Sequence, residues 1–358
     1  MRIIIRAATL HLGLHKWSRE ELEKALSLIQ KFRYYAKELA KELGIELWTI
    51  RISTPKIPRS ININKFIDFL DREIPRDVLI ATGHMDEDDD RIFNTYTNIL
   101  CDYDRIYSSI NIHSLKGIDV YLSTIKKLSE SCLEASTKLA AIMGNPIITP
   151  YFPASITSAY INGISIALRY VRDLKYSKWY IDDDSIINVF SKAEAYGKTL
   201  ANKLGIKFLG IDPSLSPWID ESVGRVIEEV SGDQIPSLST LYAIRLVNEA
   251  IARASNRVTA TGFAEIMMPV AEDVLLIRRA IEGKLSLTYL VSAIAQCVAG
   301  IDMVALSSEA LAKQAVIAVL ALSRAKAKAQ AARIVLATNY RIGDVIKLRG
   351  LEIPVLAL

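Results

Sequence analysis

Residues 262–273 read Gly-Phe-Ala-Glu-Ile-Met-Met-Pro-Val-Ala-Glu-Asp, an apolar run that ends in a proline and is followed closely by two acids. Proline has no N–H to donate to a sheet, so the pattern predicts that a strand ends near Pro269 and that a helix begins there. Glu272 and Asp273 then fall in the first helical turn, where the helix dipole favours anions. The pair indicates either an ordinary helix start or an acidic site that binds a cation or a substrate amine, or moves protons.

The same step from strand to helix recurs along the chain. Strands are predicted at residues 2–12, 45–53, 78–82, 105–112, 158–166, 208–211, 258–268, 303–306, 334–337 and 351–356. Helices are predicted at residues 18–44, 61–72, from 86 onward, and at 119–143, 184–204, 221–230, 238–254, 272–282, 287–297 and 308–329. Such alternation is typical of an α/β protein with a largely parallel sheet or barrel and its helices outside. No Gly-rich linker interrupts the pattern, so we predict one domain over residues 1–358.

Composition excludes several classes of protein. Hydrophobic residues make up 51% of the chain, yet its most apolar windows are too short, or too interrupted by Gln296 and Asp302, to span a membrane. The N-terminus lacks a signal-peptide pattern, which predicts a cytoplasmic protein without a membrane partner. The net charge of +4 is spread among interleaved acids and bases, which disfavours nucleic acid as a partner. Abundant Ile, Lys and Glu with little Gln indicate a thermophile.

Motifs for familiar chemistry are missing from the sequence. Cys101, Cys132 and Cys297 lie far apart without a CxxC spacing, which argues against a zinc ribbon and against a disulfide framework. There is no GxGxxG, Walker A, GxSxG or HExxH motif. The sequence therefore excludes the simple nucleotide-binding, hydrolase and metalloprotease interpretations, predicts no metal site and names no cofactor.

Polar side chains do cluster at the ends of predicted strands, where α/β folds bind ligands. Ser109 and Asn111 point to one face of the strand 105–112, which is either a site or a wet sheet face. Residues 212–218, Asp-Pro-Ser-Leu-Ser-Pro-Trp, form either a preorganised polar site or an ordinary turn, before a helix that Ser222 caps. Asp302 lies in the apolar stretch 300–304, where it is either satisfied by backbone donors or perturbed for function.

Two hypotheses follow for the function. In the first, a polar small molecule, a cation or both bind in an acidic, hydroxyl-rich pocket formed by Ser109, Asn111, Asp212, Ser214, Ser222, Glu272, Asp273 and Asp302. Glu272 or Asp302 would be the general base of an enzyme if burial raises its pKa toward neutrality. In the second, the chain is a non-catalytic structural or regulatory protein whose Ala-rich helix 310–332 packs a subunit interface. A homo-oligomer fits both hypotheses.

Taken together, the segments resemble the domain-of-unknown-function family 711, which occurs in bacteria and archaea. The resemblance runs nearly end to end and is carried by residues 108–111, 210–218, 262–273 and 300–303, by Arg333 and by the pair 343–344. It implies a fold related to the pyruvate formate-lyase-like glycyl radical enzymes, in which two antiparallel five-stranded halves close into a ten-stranded barrel surrounded by helices. Together with the composition, it indicates an archaeal thermophile. Fold likeness alone implies no radical chemistry.

The chain also departs from the family pattern at three turns. It has Ser-Ser-Glu at residues 307–309 in place of Pro-Gly-Asp, and Leu-Ala-Thr-Asn-Tyr at residues 336–340 in place of a Pro-Val-Pro-Gly-Lys loop. Ser239 replaces a glycine before Thr240. Glycine and proline permit backbone shapes that other residues resist, so these changes predict a remodelled, degenerate ligand site, although the candidate carboxylates remain.

Overall fold

The computed structural model describes residues 3–296 and 298–358, with the backbone only at residues 83 and 84. The strands are β1 (Ile4–His11), β2 (Glu46–Leu47), β3 (Ile50–Ser53), β4 (Val78–Asp86), β5 (Ile106–Ile112), β6 (Leu139–Met143), β7 (Gly163–Arg169), β8 (Tyr176–Ser177), β9 (Tyr180–Ile181), β10 (Lys207–Asp212), β11 (Gly300–Leu306), β12 (Gln330–Leu336), β13 (Val345–Leu348) and β14 (Leu351–Pro354). The helices are α1 (Arg19–Glu42), α2 (Ile63–Glu73), α3 (Thr97–Asp102), α4 (Leu115–Ser131), α5 (Asp183–Leu204), α6 (Val223–Ser231), α7 (Leu238–Ser255), α8 (Val274–Ile281), α9 (Leu287–Ala295) and α10 (Glu309–Lys326).

A large, mostly parallel sheet forms the centre of this α/β fold. Its strand order is β10-β7-β1-β3-β4-β5-β6-β12-β11, and β2 lies beside β1. Strands β1, β3, β4, β5 and β6 are parallel to one another, as are β7 with β10 and β11 with β12. The two sets run in opposite directions and meet at the antiparallel pairs β1–β7 and β6–β12.

The strand predicted over residues 258–268 is wrong as a continuous strand, although residues 259–269 do contact both edge strands, β10 and β11. Ile211 pairs with Ala260 on one side, and Pro269 pairs with Asp302 on the other, each as an isolated bridge. A continuous ladder is interrupted because Pro269 has no N–H and Ala264 has a left-handed backbone with φ of 54°. Over the described residues, no continuous hydrogen-bonded ladder closes the sheet into a barrel.

Helix caps and apolar faces explain how the helices cover one face of the sheet. The hydroxyls of Ser18 and Ser222 each accept a hydrogen bond from the amide three residues on and begin α1 and α6, as the sequence predicted for Ser222. The helical faces share one buried apolar core with strand residues such as Ile52 and Ile80. Helix α10 packs against α4 and α9 of the same chain and ends at Lys326, so its apolar face is used within the molecule.

The opposite sheet face, which we call the inner face, carries small side chains and is covered by two other parts of the chain. Tyr151, from the loop between β6 and β7, packs against Ala7 and Ala167. Ile346, from the hairpin β13–β14, packs against Met303. The short side chains of the strands leave the room that the loop and the hairpin fill.

Two predictions in one region are wrong. The long helix expected over residues 119–143 ends at Ser131, and the buried strand β6 follows a short 3-10 helix. Pairing of β6 with β5 and β12 outweighs the helix propensity of its Leu, Ala and Met residues. Cys101 and Cys132 form a disulfide at that break, with their Cα atoms 5.9 Å apart, because the fold brings the ends of α3 and α4 together. Cys297 lies outside the described residues.

A membrane-spanning helix was not expected. Among the helices that the structure describes, none combines the length and the apolarity needed to cross a bilayer.

Candidate functional site

A cavity of about 280 Å³ lies on the inner face of the sheet, bordered by the loop that carries Tyr151 and by the hairpin β13–β14. Its lining combines apolar side chains with a dense set of charges and rings. The charged residues are Arg6, Arg51, Glu272, Asp302, Arg333 and Arg349, and the rings are Trp48, Tyr107, Tyr151, Phe152, Trp218 and Phe263. Four guanidinium groups thus face two carboxylates, so the lining is more cationic than the acidic pocket that the sequence predicted.

One end of the cavity holds four charged side chains in a row, which we call the ion-pair chain: Arg6, Glu272, Arg333 and Asp302. Arg6 Nη2 donates to Glu272 Oε2 at 2.5 Å, and Arg333 Nη2 donates to Glu272 Oε1 at 3.0 Å. Arg333 also binds both oxygens of Asp302, at 2.6 Å and 3.0 Å. Positive and negative charges are equal in number, so this end of the cavity is neutral overall.

The sheet register explains why the ion-pair chain forms. Asp302 and Arg333 are direct partners on the parallel strands β11 and β12. Pro269 forms a bridge with Asp302, and the short 3-10 helix Val270–Glu272 then places Glu272 above the same strands. The bridge at Pro269 and the short helix after it therefore place Glu272 in the cavity lining.

Aromatic rings enclose the guanidinium of Arg6. Its Cζ lies 5.3 Å from the ring of Trp48, 5.6 Å from Trp218 and 5.9 Å from Tyr151. Arg6 also donates to the carbonyl of Pro217 at 2.7 Å. The polar turn at residues 212–218 therefore lines the cavity with Ser216 and Trp218, and its Pro217 carbonyl helps to position Arg6.

A second wall of the cavity, which we call the arginine–aromatic wall, consists of Arg51, Phe152, Tyr107 and Arg349. The Cζ of Arg51 lies 5.0 Å from the Phe152 ring, the two rings are 5.4 Å apart, and the Cζ of Arg349 lies 5.7 Å from the Tyr107 ring. Arg51 donates to the hydroxyl of Thr49, and Arg349 to a backbone carbonyl. Within the described part of the chain, neither arginine of this wall forms an ion pair.

The pKa shifts follow these charges. Burial would raise the pKa of Glu272, but Arg6 and Arg333 outweigh burial and hold it below the usual 4.5. Burial opposes the charge of Arg333, yet Asp302 and Glu272 raise its pKa above the ordinary value. Burial, with the nearby charge of Arg6, lowers the pKa of Arg51 to about 10. The condition under which Glu272 was a candidate general base, a pKa raised toward neutrality, is therefore not met.

Asp212 and Ser214, two predicted ligand residues, lie outside the cavity lining. The fully buried carboxylate of Asp212 accepts bonds from the hydroxyls of Ser214 and Thr149 and from the amides of residues 263 and 264. Gly262 faces it closely, and a Cβ at that position would overlap the carboxylate. Burial raises the pKa of Asp212 although its hydrogen bonds oppose this. Asp212 fastens the segment 259–269 to the end of β10.

Asp273 and Ser222 also lie outside the lining and are close to each other. Asp273 caps α8 by accepting the amides of Leu275 and Leu276, and it accepts the hydroxyl of Ser222 at 2.6 Å and the amide of Gly224. Burial raises the pKa of Asp273, and these hydrogen bonds partly offset that rise. The pair joins the first turns of α6 and α8. Of the adjacent acids Glu272 and Asp273, only the first faces the cavity.

Ser109 and Asn111 lie on β5, the strand that carries Tyr107 into the cavity lining. Alternation along a strand places all three on one face. Both predicted residues are buried, and the Asn111 amide donates to Nε2 of His113 at 2.9 Å in one tautomer of that ring. Ser109 and Asn111 therefore lie on the same face of β5 as the cavity but do not belong to its lining.

The turns that depart from the family pattern are separate from the cavity. Ser308 caps α10 by accepting the amide of Leu311, and Tyr340 donates its amide to Ala337 in a turn after β12. Ser239 bonds to Asp233 at the start of α7. Residues 307–309, 336–340 and 239 do not belong to the cavity lining.

Sequence reasoning missed most of the arginines in the cavity. Arg6 and Arg51 interrupt the apolar strands β1 and β3, and a charge in a strand that is otherwise buried is the signal that was available. Arg333 was noted only as part of the family resemblance. Among the described residues, no group of three or more His, Cys, Asp and Glu side chains is placed to hold a metal ion.

The fold and the site define an α/β protein with an arginine-rich cavity on the inner face of its sheet. The family model described as Uncharacterised ACR (DUF711) matches residues 2–349, so the chain belongs to this family, as the sequence resemblance indicated. It is 25% identical to a UPF0210 protein of Pyrobaculum islandicum, over 92% of this chain and 82% of the relative. It is 23% identical to a UPF0210 protein of Methanosarcina barkeri over 97% and 88%, and 28% identical to one of Leuconostoc mesenteroides over 70% and 62%.

Proposed function

We propose that the protein binds a small organic anion in the cavity on the inner face of its sheet. The proposal keeps the polar small molecule that the sequence predicted, but the ligand is an anion and not a cation. Its main support is Arg51, a buried guanidinium that faces the cavity without a carboxylate partner in the described chain.

Electrostatics supports an anionic ligand. A buried charge is costly to keep unless an opposite charge compensates it. The Arg51 pKa of about 10 reflects this cost, because burial opposes the charged form. An anion in the cavity would supply the missing charge at the fork of donors that suits carboxylate and phosphate groups.

The body of the ligand is proposed to be partly apolar. Beside the charges, the lining contains Leu79, Ala140, Phe263 and Met267. Small-molecule sites typically combine an apolar lining with a few fixed polar groups. If the bound anion is a substrate, Asp302 is the better candidate for contact, since its side chain is 33% exposed while that of Glu272 is 7% exposed and bonded to two arginines.

The test is a thermal-shift screen against carboxylates, phosphates, amines and divalent cations. A ligand at 100 times its Kd should stabilise the protein by roughly 2.7 kcal/mol. We expect anions to raise the melting temperature, and Arg51→Gln to abolish that rise. Arg253→Gln is the matched control, since Arg253 lies on the surface in an ion pair with Asp183. Stabilisation by cations alone, or unchanged anion binding in Arg51→Gln, would contradict the proposal.

A structural homo-oligomer is the second candidate, and an exposed patch on α7 and the hairpin β8–β9 favours it. Trp179, Tyr180, Leu238 and Tyr242 are all more than 40% exposed, and the rings of Trp179 and Tyr242 are 5.7 Å apart. Exposed apolar clusters of this kind commonly mark protein contacts. Sedimentation should show an oligomer that Tyr242→Lys dissociates. A monomeric wild-type protein would remove this candidate.

For the fold, we propose that residues 259–269 act as the tenth strand of a closed barrel of the pyruvate formate-lyase-like type. The bridges of this segment to both edge strands support the proposal, as do the two oppositely directed parallel sets. The amides of Thr261 and Met267 donate to Ile211 and Leu215. Their hydrogen exchange should be as slow as that of β1 amides, whereas rapid exchange would argue for an open sheet.

We also propose a cytoplasmic setting in a thermophilic archaeon. The disulfide between Cys101 and Cys132 fits this setting, because intracellular proteins of hyperthermophiles are an exception to the rule that cytosolic thiols stay reduced. Alkylation of thiols during lysis of the native cells, followed by mass spectrometry, should find both cysteines protected.

A further inference from the structure

The arginine–aromatic wall carries information about the shape of the ligand, provided that the proposed anion binding is right. From the geometry of this wall we infer that the ligand is an organic dianion, with two carboxylate-type groups at opposite ends of an apolar body. One anionic group would contact Arg51, and the other would contact Arg349.

Charge is the first argument. The ion-pair chain is internally balanced, whereas in the described chain Arg51 and Arg349 form no ion pair, although the charge of Glu272 also acts on Arg51. Arg51 is buried and Arg349 is exposed on the same wall, so each guanidinium is able to bind one anionic group of a ligand directly. A monoanion would leave one of the two unmatched.

Separation is the second argument. The contacts run in series from Arg51 to the Phe152 ring at 5.0 Å, from Phe152 to Tyr107 at 5.4 Å, and from the Tyr107 ring to Arg349 at 5.7 Å. The two positive charges are therefore set apart along the wall. This spacing fits two anionic groups joined by a carbon chain better than a compact dianion such as inorganic phosphate.

The position of Arg349 is the third argument. Arg349 and Gly350 form the two-residue turn between the paired residues Leu348 and Leu351, and both have a left-handed backbone, with φ of 50° and 78°. Such a turn favours Asn-Gly, and an arginine is a poor choice for its first position. Turn geometry thus does not account for the side chain, whereas a role at the cavity does.

The test compares dicarboxylates with monocarboxylates of equal length by calorimetry on the full-length protein. The probes are succinate, glutarate, adipate and pimelate, each beside its monoacid, together with inorganic phosphate. We expect at least one dicarboxylate to bind tenfold or more tightly than its monoacid. Equal affinities, or phosphate binding more tightly than every dicarboxylate, would overturn the inference.

Variants locate the second anionic group. Arg349→Asn suits the turn and should preserve folding, so we expect it to remove the dicarboxylate advantage and leave monoacid binding unchanged. Arg51→Gln should weaken both kinds of ligand. Lys347→Gln is the control on the same hairpin, where the lysine side chain is 80% exposed. A dicarboxylate advantage that persists in Arg349→Asn would refute the inference.

The outcomes also separate this inference from the function on which it rests. Arg51-dependent binding of monoacids without a dicarboxylate advantage would refute the dianion and retain the anion site. Failure of every carboxylate and of phosphate to bind would refute both.

Discussion

The ion-pair chain and the arginine–aromatic wall face the same cavity but treat positive charge in opposite ways. In the first, Glu272 and Asp302 compensate Arg6 and Arg333 within the protein. In the second, Arg51 and Arg349 stack on aromatic rings and donate to neutral oxygens. The comparison separates charges that the fold has already satisfied from charges that remain for a ligand.

The two groups of residues should differ in what their substitution changes, either the free energy of unfolding or the affinity for ligand. Removing one member of a compensated buried pair exposes its partner's full desolvation cost, whereas removing an uncompensated charge relieves such a cost. We therefore expect substitutions in the ion-pair chain to act mainly on folding, and substitutions in the arginine–aromatic wall to act mainly on ligand affinity.

The largest effect is expected for Glu272→Gln. The substitution keeps the shape of the side chain but leaves Arg6 and Arg333 without their shared carboxylate, and breaking a buried pair in this way typically costs about 3–5 kcal/mol. Denaturant unfolding should show this loss. The control Glu249→Gln, which removes a surface ion pair with Arg245, should cost less than about 0.5 kcal/mol. Equal effects of the two substitutions would mean that the ion-pair chain is not the stabilising element we describe.

Acid should reduce the stability that ionised Glu272 contributes to the folded protein. The folded-state pKa of Glu272 is below its usual 4.5, so its ionised form stabilises the native state above that pH. As the pH falls below about 4.5 toward the lower folded-state value, the unfolded state takes up a proton first and the stabilisation is lost. The difference in unfolding free energy between wild type and Glu272→Gln should therefore be full at pH 7 and shrink below pH 4.5. A difference that is constant with pH would assign the stability to packing rather than to charge.

A smaller loss of stability is expected for Asp302→Asn, about 1–2 kcal/mol, because this carboxylate is one-third exposed and partly solvated. The substitution also frees part of the Arg333 guanidinium toward the cavity. Anion affinity should therefore rise in Asp302→Asn, measured by calorimetry with the same carboxylates. If the site bound a cation, as the sequence indicated, the substitution would abolish binding instead.

The sequence predicted much of the fold because many segments carry local signals. The first strand, the cap at Ser222 and the helix start after Pro269 were each placed within a few residues of their positions, whereas the strand predicted before Pro269 forms only isolated bridges. The helix predicted through β6 failed because Leu139–Met143 has no local strand signal and is extended only through its pairing with neighbours. The disulfide was not predicted, because two cysteines 31 residues apart in the sequence carry no local signal of contact.

The site was harder to predict, because carboxylates at strand ends do not reveal which way they face. Among the predicted ligand residues, Glu272 and Asp302 line the cavity, whereas Asp212 and Asp273 are satisfied by backbone amides and hydroxyls. Arg349 reaches the cavity from a hairpin near the end of the chain, which no local pattern predicts. Long-range contact, rather than residue type, decides these roles.

The smallest effect on folding is expected for Arg51→Gln. This variant best separates an effect on folding from an effect on ligand binding. Without a ligand, removing a buried guanidinium that has no acidic partner should change the unfolding free energy by no more than about 1 kcal/mol, in either direction. With a carboxylate ligand present, the variant should lose the ligand-induced stabilisation that the wild type shows. Unfolding of both proteins, with and without the ligand, separates the two effects in one experiment. A large loss of stability without ligand would make Arg51 a structural charge like Arg6. The distinction between the ion-pair chain and the arginine–aromatic wall would then fail.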